Sequence, residues 1–140
     1  MDPNDRPVKQ VIIMRRDLKM RRGKEVAQGS HASMAWLSKR YMALEELASH
    51  VIMDRLNINL LSPAERQWLS GNFTKITLQV KDLVEMAEIM GRAKAAGLMV
   101  ELITDCGATE FHGVATETCC AIGPDYANKI DPITKGLQLY

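Results

Sequence analysis

The sequence predicts an α/β domain of three layers, α/β/α, in which helices cover both faces of a four-stranded mixed β-sheet. Short apolar segments alternate with segments rich in Ala, Leu, Met and Glu, a pattern typical of strands that alternate with helices. The chain has 140 residues, 46% hydrophobic and 25% charged, which suits one domain with a substantial core. We therefore expect residues 1–140 to form a single domain, with residues 1–7 as a disordered lead-in.

The first strand and the first helix flank a cationic turn. Residues 8–14 are almost continuously apolar, which predicts a central strand covered on both faces. From Lys24 to about Ser49 the chain has few helix breakers, so we expect a long helix there. The turn between them, residues 15–24, holds six of the 18 Lys and Arg residues. A strand, a basic turn and a helix N-terminus in this order favour the binding of an anion.

The remaining elements follow from turn and capping signals. Residues 51–72 form an extra segment in which Ser62, Pro63 and Glu65 predict the start of a capped helix. The next strand, helix and strand predict a right-handed βαβ unit. In order, we expect a strand at 73–80, a helix through 96 capped by Asp82, strands at 98–104 and 116–122, and a helix at 125–131.

Composition excludes several classes of protein. The net charge is only +1, so the chain is not a basic nucleic-acid binder overall; its focused positive patch predicts a local polyanion contact, or else a solvated turn. Three cysteines, two of them adjacent, argue against a disulfide framework and favour the cytoplasm. The histidines and cysteines lack zinc-site spacing, so we expect no metal. No apolar run is long enough to span a membrane.

Two predicted strand ends carry groups suited to hydrolysis. The first strand leads to Lys24 and the third leads to Asp105. Ligands bind at the carboxyl ends of strands in open α/β sheets. If the two strands are parallel neighbours, Lys24 lies beside Asp105 and stabilises its partly desolvated charge. Such a carboxylate can orient or deprotonate water while the cation stabilises an oxyanion. A purely structural ion pair explains the spacing equally well.

One face of the first helix carries further polar groups. Lys24, Gln28 and His31 lie on one stripe, at i, i+4 and i+7, and could line a cleft or face solvent. Ser30 precedes His31, but adjacent helical side chains point about 100° apart, which excludes a Ser–His nucleophile and base. Cys106 has no specified partner, which makes a catalytic thiol the weaker interpretation.

Five motifs occur in one order along most of the chain. They are RDLKMxxGKxxAQxSHA at 16–32, AGL at 96–98, DxGxT at 105–109, TxxxIGP at 118–124 and IDPITKGLQLY at 130–140. Together they resemble the signature of the type 2 peptidyl-tRNA hydrolases of archaea and eukaryotes. The resemblance implies an α/β/α domain on a four-stranded mixed sheet, usually homodimeric. It also implies hydrolysis of the ester between a peptide and the terminal ribose of tRNA, with no metal or organic cofactor.

The resemblance also implies which residues act. Asp105 would act on the attacking water, directly or through Thr109, Lys24 would stabilise the oxyanion or a terminal phosphate, and Gln28 would orient the substrate. The tRNA backbone would be contacted in a salt-dependent way. The implied catalytic residues are Lys24, Gln28, Asp105 and Thr109; the implied substrate and tRNA contacts are Arg15, Lys19, Arg21, Arg22, Ser30, His31 and Thr118.

The loop after the third predicted strand departs from the family pattern. The family commonly has Asp-x-Gly-Arg-Thr-Gln there, whereas this chain has Ala108 in place of the Arg and Glu110 in place of the Gln. Loss of a cation and gain of an anion make this wall less attractive to phosphate. The alternative hypothesis is therefore a catalytically weakened homologue that binds tRNA without hydrolysis, or that binds a protein partner through residues 51–72.

Overall fold

The sheet of this protein has four strands in the order β2-β1-β4-β3, as seen in a computed structural model that describes residues 6–48, 61–108 and 110–140. The predicted α/β class with a four-stranded mixed sheet is confirmed. The elements are β1 (Val8–Arg15), α1 (Arg22–Ala48), α2 (Pro63–Ser70), β2 (Lys75–Val80), α3 (Leu83–Ala95), β3 (Val100–Asp105), β4 (Thr116–Tyr126) and α4 (Ala127–Thr134).

The pairing of the strands sets the edge at which the candidate residues meet. β1 is parallel to β2 and antiparallel to β4, and β4 is antiparallel to β3. Hence β1 and β3 are parallel, but they are not neighbours, because β4 lies between them. Their carboxyl ends, at Arg15 and Asp105, still reach the same edge of the sheet.

Alternation of side chains along β1 divides the core into two parts. Val11 and Ile13 pack with α3 and α4, whereas Ile12 and Met14 pack on the face covered by α1. All four are buried, so β1 is covered on both faces, as its continuous apolar run predicts. The three-layer arrangement follows from these two clusters.

Buried polar bonds fix α1 against β1. The Ser33 hydroxyl donates to Gln10 Oε1 at 2.6 Å, and Gln10 Nε2 donates to the Ser33 carbonyl at 3.0 Å. Both side chains are almost fully buried. Because a buried amide and hydroxyl need these partners, the bonds define the position of α1 over the sheet.

The end of β4 differs from the prediction. β4 continues to Tyr126 instead of ending at Ile122, and α4 begins at Ala127 instead of Asp125. The register shifts between Lys9 and Val11, so that the Gly123–Pro124 peptide lies at a bulge opposite Gln10. A bulge accommodates a proline because that position needs no ladder N–H.

The capped helix of the extra segment, α2, lies near the start of β1, at the end of the sheet opposite to Arg15 and Asp105. Ser62 Oγ accepts from the Glu65 amide at 3.1 Å, and Glu65 Oε1 accepts from the Ser62 amide at 2.7 Å, so the predicted capping box is present. Arg40 of α1 donates to both oxygens of Glu65, and Gln67 Nε2 donates to the Arg6 carbonyl at 2.7 Å. α2 therefore packs near the start of β1. Residues 51–60 lie outside the described part of the chain.

Among the residues that the structure describes, none of the helices combines the length and apolar character that a bilayer span requires.

Candidate active site

An ion pair joins the two strand ends that the sequence analysis singled out. Lys24 Nζ lies 2.6 Å from Asp105 Oδ1, and the two side chains are 13% and 9% exposed. Lys24 lies in the first turn of α1, and Asp105 is the last residue of β3. The pair forms although β4 separates β1 from β3, because α1 packs across β1, β4 and β3.

Two more donors hold the Asp105 carboxylate. The Gly107 amide donates to Oδ2 at 2.9 Å, and Gln28 Nε2 lies 3.4 Å from Oδ1. The hydrogen bond from Lys24 is the main cause that holds the pKa of Asp105 below its ordinary value of 3.8. The Gly107 amide and the charge of His31 act in the same direction, while burial acts against them. The carboxylate is therefore ionised at neutral pH.

A hydrogen bond from Thr118 of β4 holds the Gln28 side chain in one orientation. The Thr118 hydroxyl donates to Gln28 Oε1 at 2.5 Å, and both side chains are buried. Since Oε1 accepts from Thr118, the amide NH₂ is the end that faces Asp105. The Cys119 thiol also contacts the backbone carbonyl of Gln28 at 3.3 Å. Thr118, Gln28 and Asp105 thus form one hydrogen-bonded line from β4 through α1 to β3.

Arg15 is bound within the turn. Its guanidinium contacts both carboxylate oxygens of Asp17, at 3.1 and 2.7 Å, and donates to the Glu117 carbonyl at 2.8 Å. The hydrogen bond from Arg15 is the main cause that lowers the pKa of Asp17. Arg15 is only 12% exposed, so this cation anchors the turn to β4.

The other cations of the turn face outward. Lys19, Arg21 and Arg22 are exposed. Arg21 Nε lies 3.7 Å from Glu110 Oε1, and its side chain is 89% exposed. These three residues supply the positive surface beside the Lys24–Asp105 pair.

Ser30 and His31 lie on different sides of α1. The Ser30 hydroxyl donates to the Val26 carbonyl at 2.7 Å, and Ser30 lines an apolar cleft together with Ile12 and Tyr140. Ser30 therefore faces away from the residues around Asp105. His31 is exposed, and its charge acts on Asp105. Thr109, the remaining predicted catalytic residue, lies outside the described residues.

The loop after β3 forms the second wall of the site. Gly107 has φ +83, and a Cβ there would lie 2.5 Å from the Val114 carbonyl oxygen, so only glycine fits. Phe111 and His112 have φ values of 64° and 51°, in a region that costs non-glycine residues of order 1–3 kcal/mol each. The hydrogen bonds Gly113 N to Gly107 O (3.0 Å) and Val114 N to Phe111 O (2.9 Å) hold this conformation.

Sequence reasoning missed Phe111 and His112 as members of the site. Both line a cavity of about 410 Å³ beside Asp105. A usable signal exists: two rings and then a glycine, in a loop that follows a strand ending in a charged residue. The complete lining is Lys19, Arg21, Gly107, Ala108, Glu110, Phe111, His112 and Gly113.

Within the described ranges there is no group of three or more His, Cys, Asp or Glu side chains that could hold a metal ion.

Comparison with known protein families shows to which family this chain belongs. A family model described as "Peptidyl-tRNA hydrolase PTH2" matches residues 8–140. The chain belongs to the peptidyl-tRNA hydrolase PTH2 family. The match includes every element of the sheet and every residue of the candidate site.

Individual relatives agree with this assignment. The peptidyl-tRNA hydrolase of Methanopyrus kandleri is 35% identical over 94% of this chain and 97% of its own length. The peptidyl-tRNA hydrolase of Methanothermobacter thermautotrophicus is 37% identical over 94% of this chain and 99% of its own length. The protein named peptidyl-tRNA hydrolase 2, mitochondrial, from Bos taurus is 32% identical over 94% of this chain and 64% of its own length.

A solved structure shares the fold at low sequence identity. It is a protein of unknown function from Agrobacterium tumefaciens strain C58, with a TM-score of 0.53 and 12% identity, over 95% of this chain and 97% of that one. At this identity the likeness concerns the fold alone.

We predict that the carboxyl group of Asp105 titrates below pH 3.8 in a carbon-13 NMR titration of the folded protein. Protonation breaks the hydrogen bond from Lys24, so Lys24→Met should raise the midpoint. Because the folded-state pKa is the lower one, the stability that the charge contributes is present above the unfolded-state pKa and is lost as the pH falls through the folded-state pKa.

Lys9→Met is the matched control for this titration. Lys9 pairs with Asp131 at 2.5 Å, at the start of β1, and its removal should leave the Asp105 midpoint unchanged. An Asp105 midpoint that does not respond to Lys24→Met would contradict the assigned cause of the shift.

Proposed function

We propose that this chain hydrolyses peptidyl-tRNA at the centre formed by Lys24, Gln28, Asp105 and Thr118, releasing the peptide and free tRNA. Membership of the family, and relatives named peptidyl-tRNA hydrolase in archaea and eukaryotes, support this activity. The observation that carries the proposal is an ionised carboxylate held 2.6 Å from an ammonium group. This pair lies at the sheet edge that also carries the exposed cations Lys19, Arg21 and Arg22.

Asp105 acts on the water that attacks the ester carbonyl. The lowered pKa makes Asp105 a weak base, so its main contribution is to accept a hydrogen bond from the water and fix its direction of attack. Thr109 is the candidate relay between the carboxylate and the water. Asp105 passes one proton of the water to the leaving ribose oxygen as the C–O bond of the tetrahedral intermediate breaks, and the peptide is released as a carboxylic acid that then loses its proton to solvent.

Lys24 stabilises the oxyanion of that intermediate. Its ammonium group is largely shielded from solvent, and electrostatic attraction is stronger there than in bulk water. Gln28 presents its amide NH₂ to the same space, because Thr118 binds its oxygen. These donors are in position before the reaction begins, so stabilising the new charge requires little rearrangement.

We expect Lys24→Met and Asp105→Asn each to lower the single-turnover rate on an N-acetylated aminoacyl-tRNA by about 10²–10⁴-fold, the usual contribution of a positioned catalytic group. The measurement is release of the acyl group from the tRNA, with folding checked by circular dichroism. The same changes in the other Lys–Asp pair, Lys9→Met and Asp131→Asn, serve as matched controls.

The alternative, tRNA binding without hydrolysis, is favoured by one observation. Glu110 pairs with Arg21 and so reduces the positive charge beside the site. If the folded wild-type protein binds the acylated tRNA but leaves the ester intact, this second candidate replaces the first. A rate that is unchanged in Asp105→Asn would equally contradict the proposed mechanism.

The substrate's tRNA body would contact Lys19, Arg21 and Arg22. We predict that Arg22→Ala weakens tRNA binding and lowers the slope of log Kd against log salt by about 1, because one phosphate contact is lost. Lys135→Ala, an exposed change on the α4 side, is the control. Equal slopes for Arg22→Ala and wild type, measured by filter binding over a salt series, would contradict the contact.

We propose a homodimer that pairs through α1. Val26, Met34 and Tyr41 are exposed by 66%, 47% and 61%, and their spacing places them on one stripe of the helix. An apolar cleft of about 480 Å³ adjoins this stripe. Exposed apolar patches of this kind mark interaction surfaces.

Sedimentation velocity tests the dimer. Met34→Glu should convert the protein to a monomer, because it introduces a charge at the centre of the stripe. Val84→Glu changes a 76% exposed residue on α3 and should leave the dimer intact. A wild-type protein that sediments as a monomer would contradict the interface.

We also propose a cytoplasmic location. The cysteines Cys106, Cys119 and Cys120 are free thiols, the last two buried, which suits a reducing compartment.

A further inference from the structure

Residues 137–140 run along β2, an outer strand of the sheet. The Tyr140 amide donates a hydrogen bond to the Thr77 carbonyl at 3.0 Å. One residue earlier, the Leu139 carbonyl accepts from Gln79 Nε2 at 2.7 Å. These bonds fix the backbone of Tyr140 at the edge of the sheet.

The Tyr140 side chain reaches from this edge to the first helix. Its hydroxyl donates a hydrogen bond to Glu25 Oε1, and Glu25 lies in the first turn of α1. Burial, and after it the hydrogen bond to Glu25, raises the pKa of Tyr140 to about 12. The hydroxyl therefore keeps its proton at neutral pH and remains a donor to the carboxylate.

Glu25 follows Lys24 directly, and the two side chains are held from different sides. Consecutive side chains of an α-helix point about 100° apart. Lys24 reaches Asp105 at the end of β3, which is one outer strand of the sheet. Glu25 reaches Tyr140 beside β2, which is the other outer strand. Neighbouring residues thus tie the first turn of α1 to both edges of the sheet.

An open cleft separates α1 from the sheet on the side of β2. This is the apolar cleft of about 480 Å³, and both Glu25 and Tyr140 line it. Gly29 borders the same cleft, and a Cβ there would come within 4 Å of no described atom beyond the local helix backbone. Lys75, the other charged residue of the lining, donates instead to the Phe73 carbonyl at 3.0 Å. The hydrogen bond from Tyr140 therefore bridges a gap that side-chain packing leaves open.

We propose that Tyr140 is a positioning residue for Lys24: by holding Glu25 towards β2, it fixes the first turn of α1 and keeps the Lys24 ammonium group beside Asp105. This role rests on the proposed function, because it affects turnover only if the Lys24–Asp105 pair catalyses the reaction. Loss of the hydroxyl would let the first turn shift, and a preorganised donor loses effect when it is displaced. Tyr140 acts through Glu25 and Lys24, not by contact with the ester.

The first test is the single-turnover rate of Tyr140→Phe on an N-acetylated aminoacyl-tRNA. The change removes the hydroxyl and keeps the ring of a side chain that is 44% exposed. We expect the saturating rate to fall about three- to tenfold, the range for one hydrogen bond. The half-saturating enzyme concentration should stay unchanged, since the exposed cations of the turn are not altered.

Three further variants show whether the effect passes through Glu25. Glu25→Ala should lower the rate as Tyr140→Phe does, and the double variant should be no slower than either single variant. Glu25→Gln should retain the wild-type rate, because its amide oxygen still accepts a hydrogen bond from Tyr140. Tyr126→Phe is the matched control: Tyr126 pairs with Val8 at the start of β1, at the opposite end of the sheet from Asp105.

A second measurement separates positioning from simple support of the fold. In the carbon-13 titration of Asp105, Tyr140→Phe should raise the midpoint, because a displaced Lys24 stabilises the carboxylate less. A residue that only supports the fold would lower the melting temperature and leave this midpoint unchanged, and that result would overturn the positioning role. Rate effects of Tyr140→Phe and Glu25→Ala that add in the double variant would overturn it as well.

The titration needs no substrate, so it tests the position of Lys24 independently of hydrolysis. If wild type leaves the ester intact but Tyr140→Phe still raises the Asp105 midpoint, the proposed function fails and the role of Tyr140 in holding Lys24 stands. If wild type cleaves the ester and Tyr140→Phe changes neither the rate nor the midpoint, the positioning role fails and the proposed function stands.

Discussion

The charge of Asp105 is the constraint on which the arrangement of the site depends. A carboxylate that is 9% exposed is costly unless donors surround it. Those donors come from two separate places: Lys24 and Gln28 on successive turns of α1, and the Gly107 amide in the loop after β3. Consequently α1 must reach across β4, and the loop must turn back sharply at a residue that only glycine can fill. The positions of helix and loop both follow from satisfying one buried anion.

Local sequence patterns were sufficient to predict most helices and strands and the Lys24–Asp105 pair. The apolar run of β1 predicts a strand covered on both faces, and the Ser62–Glu65 box predicts the start of α2, because both signals depend on neighbours in sequence. The Lys24–Asp105 pair was predictable because parallel strands end at one edge of a sheet. The position of β4 between β1 and β3 was not predictable, because strand order depends on pairing between segments that are distant in sequence. The same holds for the bulge at Gly123–Pro124.

The position of a residue in the basic turn or in a motif predicted the role of its side chain less well than the contacts that the side chain makes in the structure. Arg15 belongs to the basic turn by sequence, yet Asp17 and the Glu117 carbonyl bind its guanidinium. Ser30 belongs to the motif by sequence, but the turn of α1 directs it to the opposite side from Gln28. Phe111 and His112 were missed because the pattern of two rings followed by a glycine does not by itself encode two consecutive left-handed residues. In each case the deciding contact joins residues that the sequence alone does not show to be neighbours.

The order of the strands has a consequence for synthesis of the protein. β4 leaves the ribosome after β1, β2 and β3, yet it lies inside the sheet and links β1 to β3. Until residues 116–126 are available, no hydrogen-bonded ladder connects the strands that carry the two halves of the site. A chain synthesised only as far as β3 therefore has its basic turn but lacks the strand that holds this turn beside Asp105. For a member of a family that acts on peptides still attached to tRNA, the candidate site cannot assemble before β4 has been synthesised.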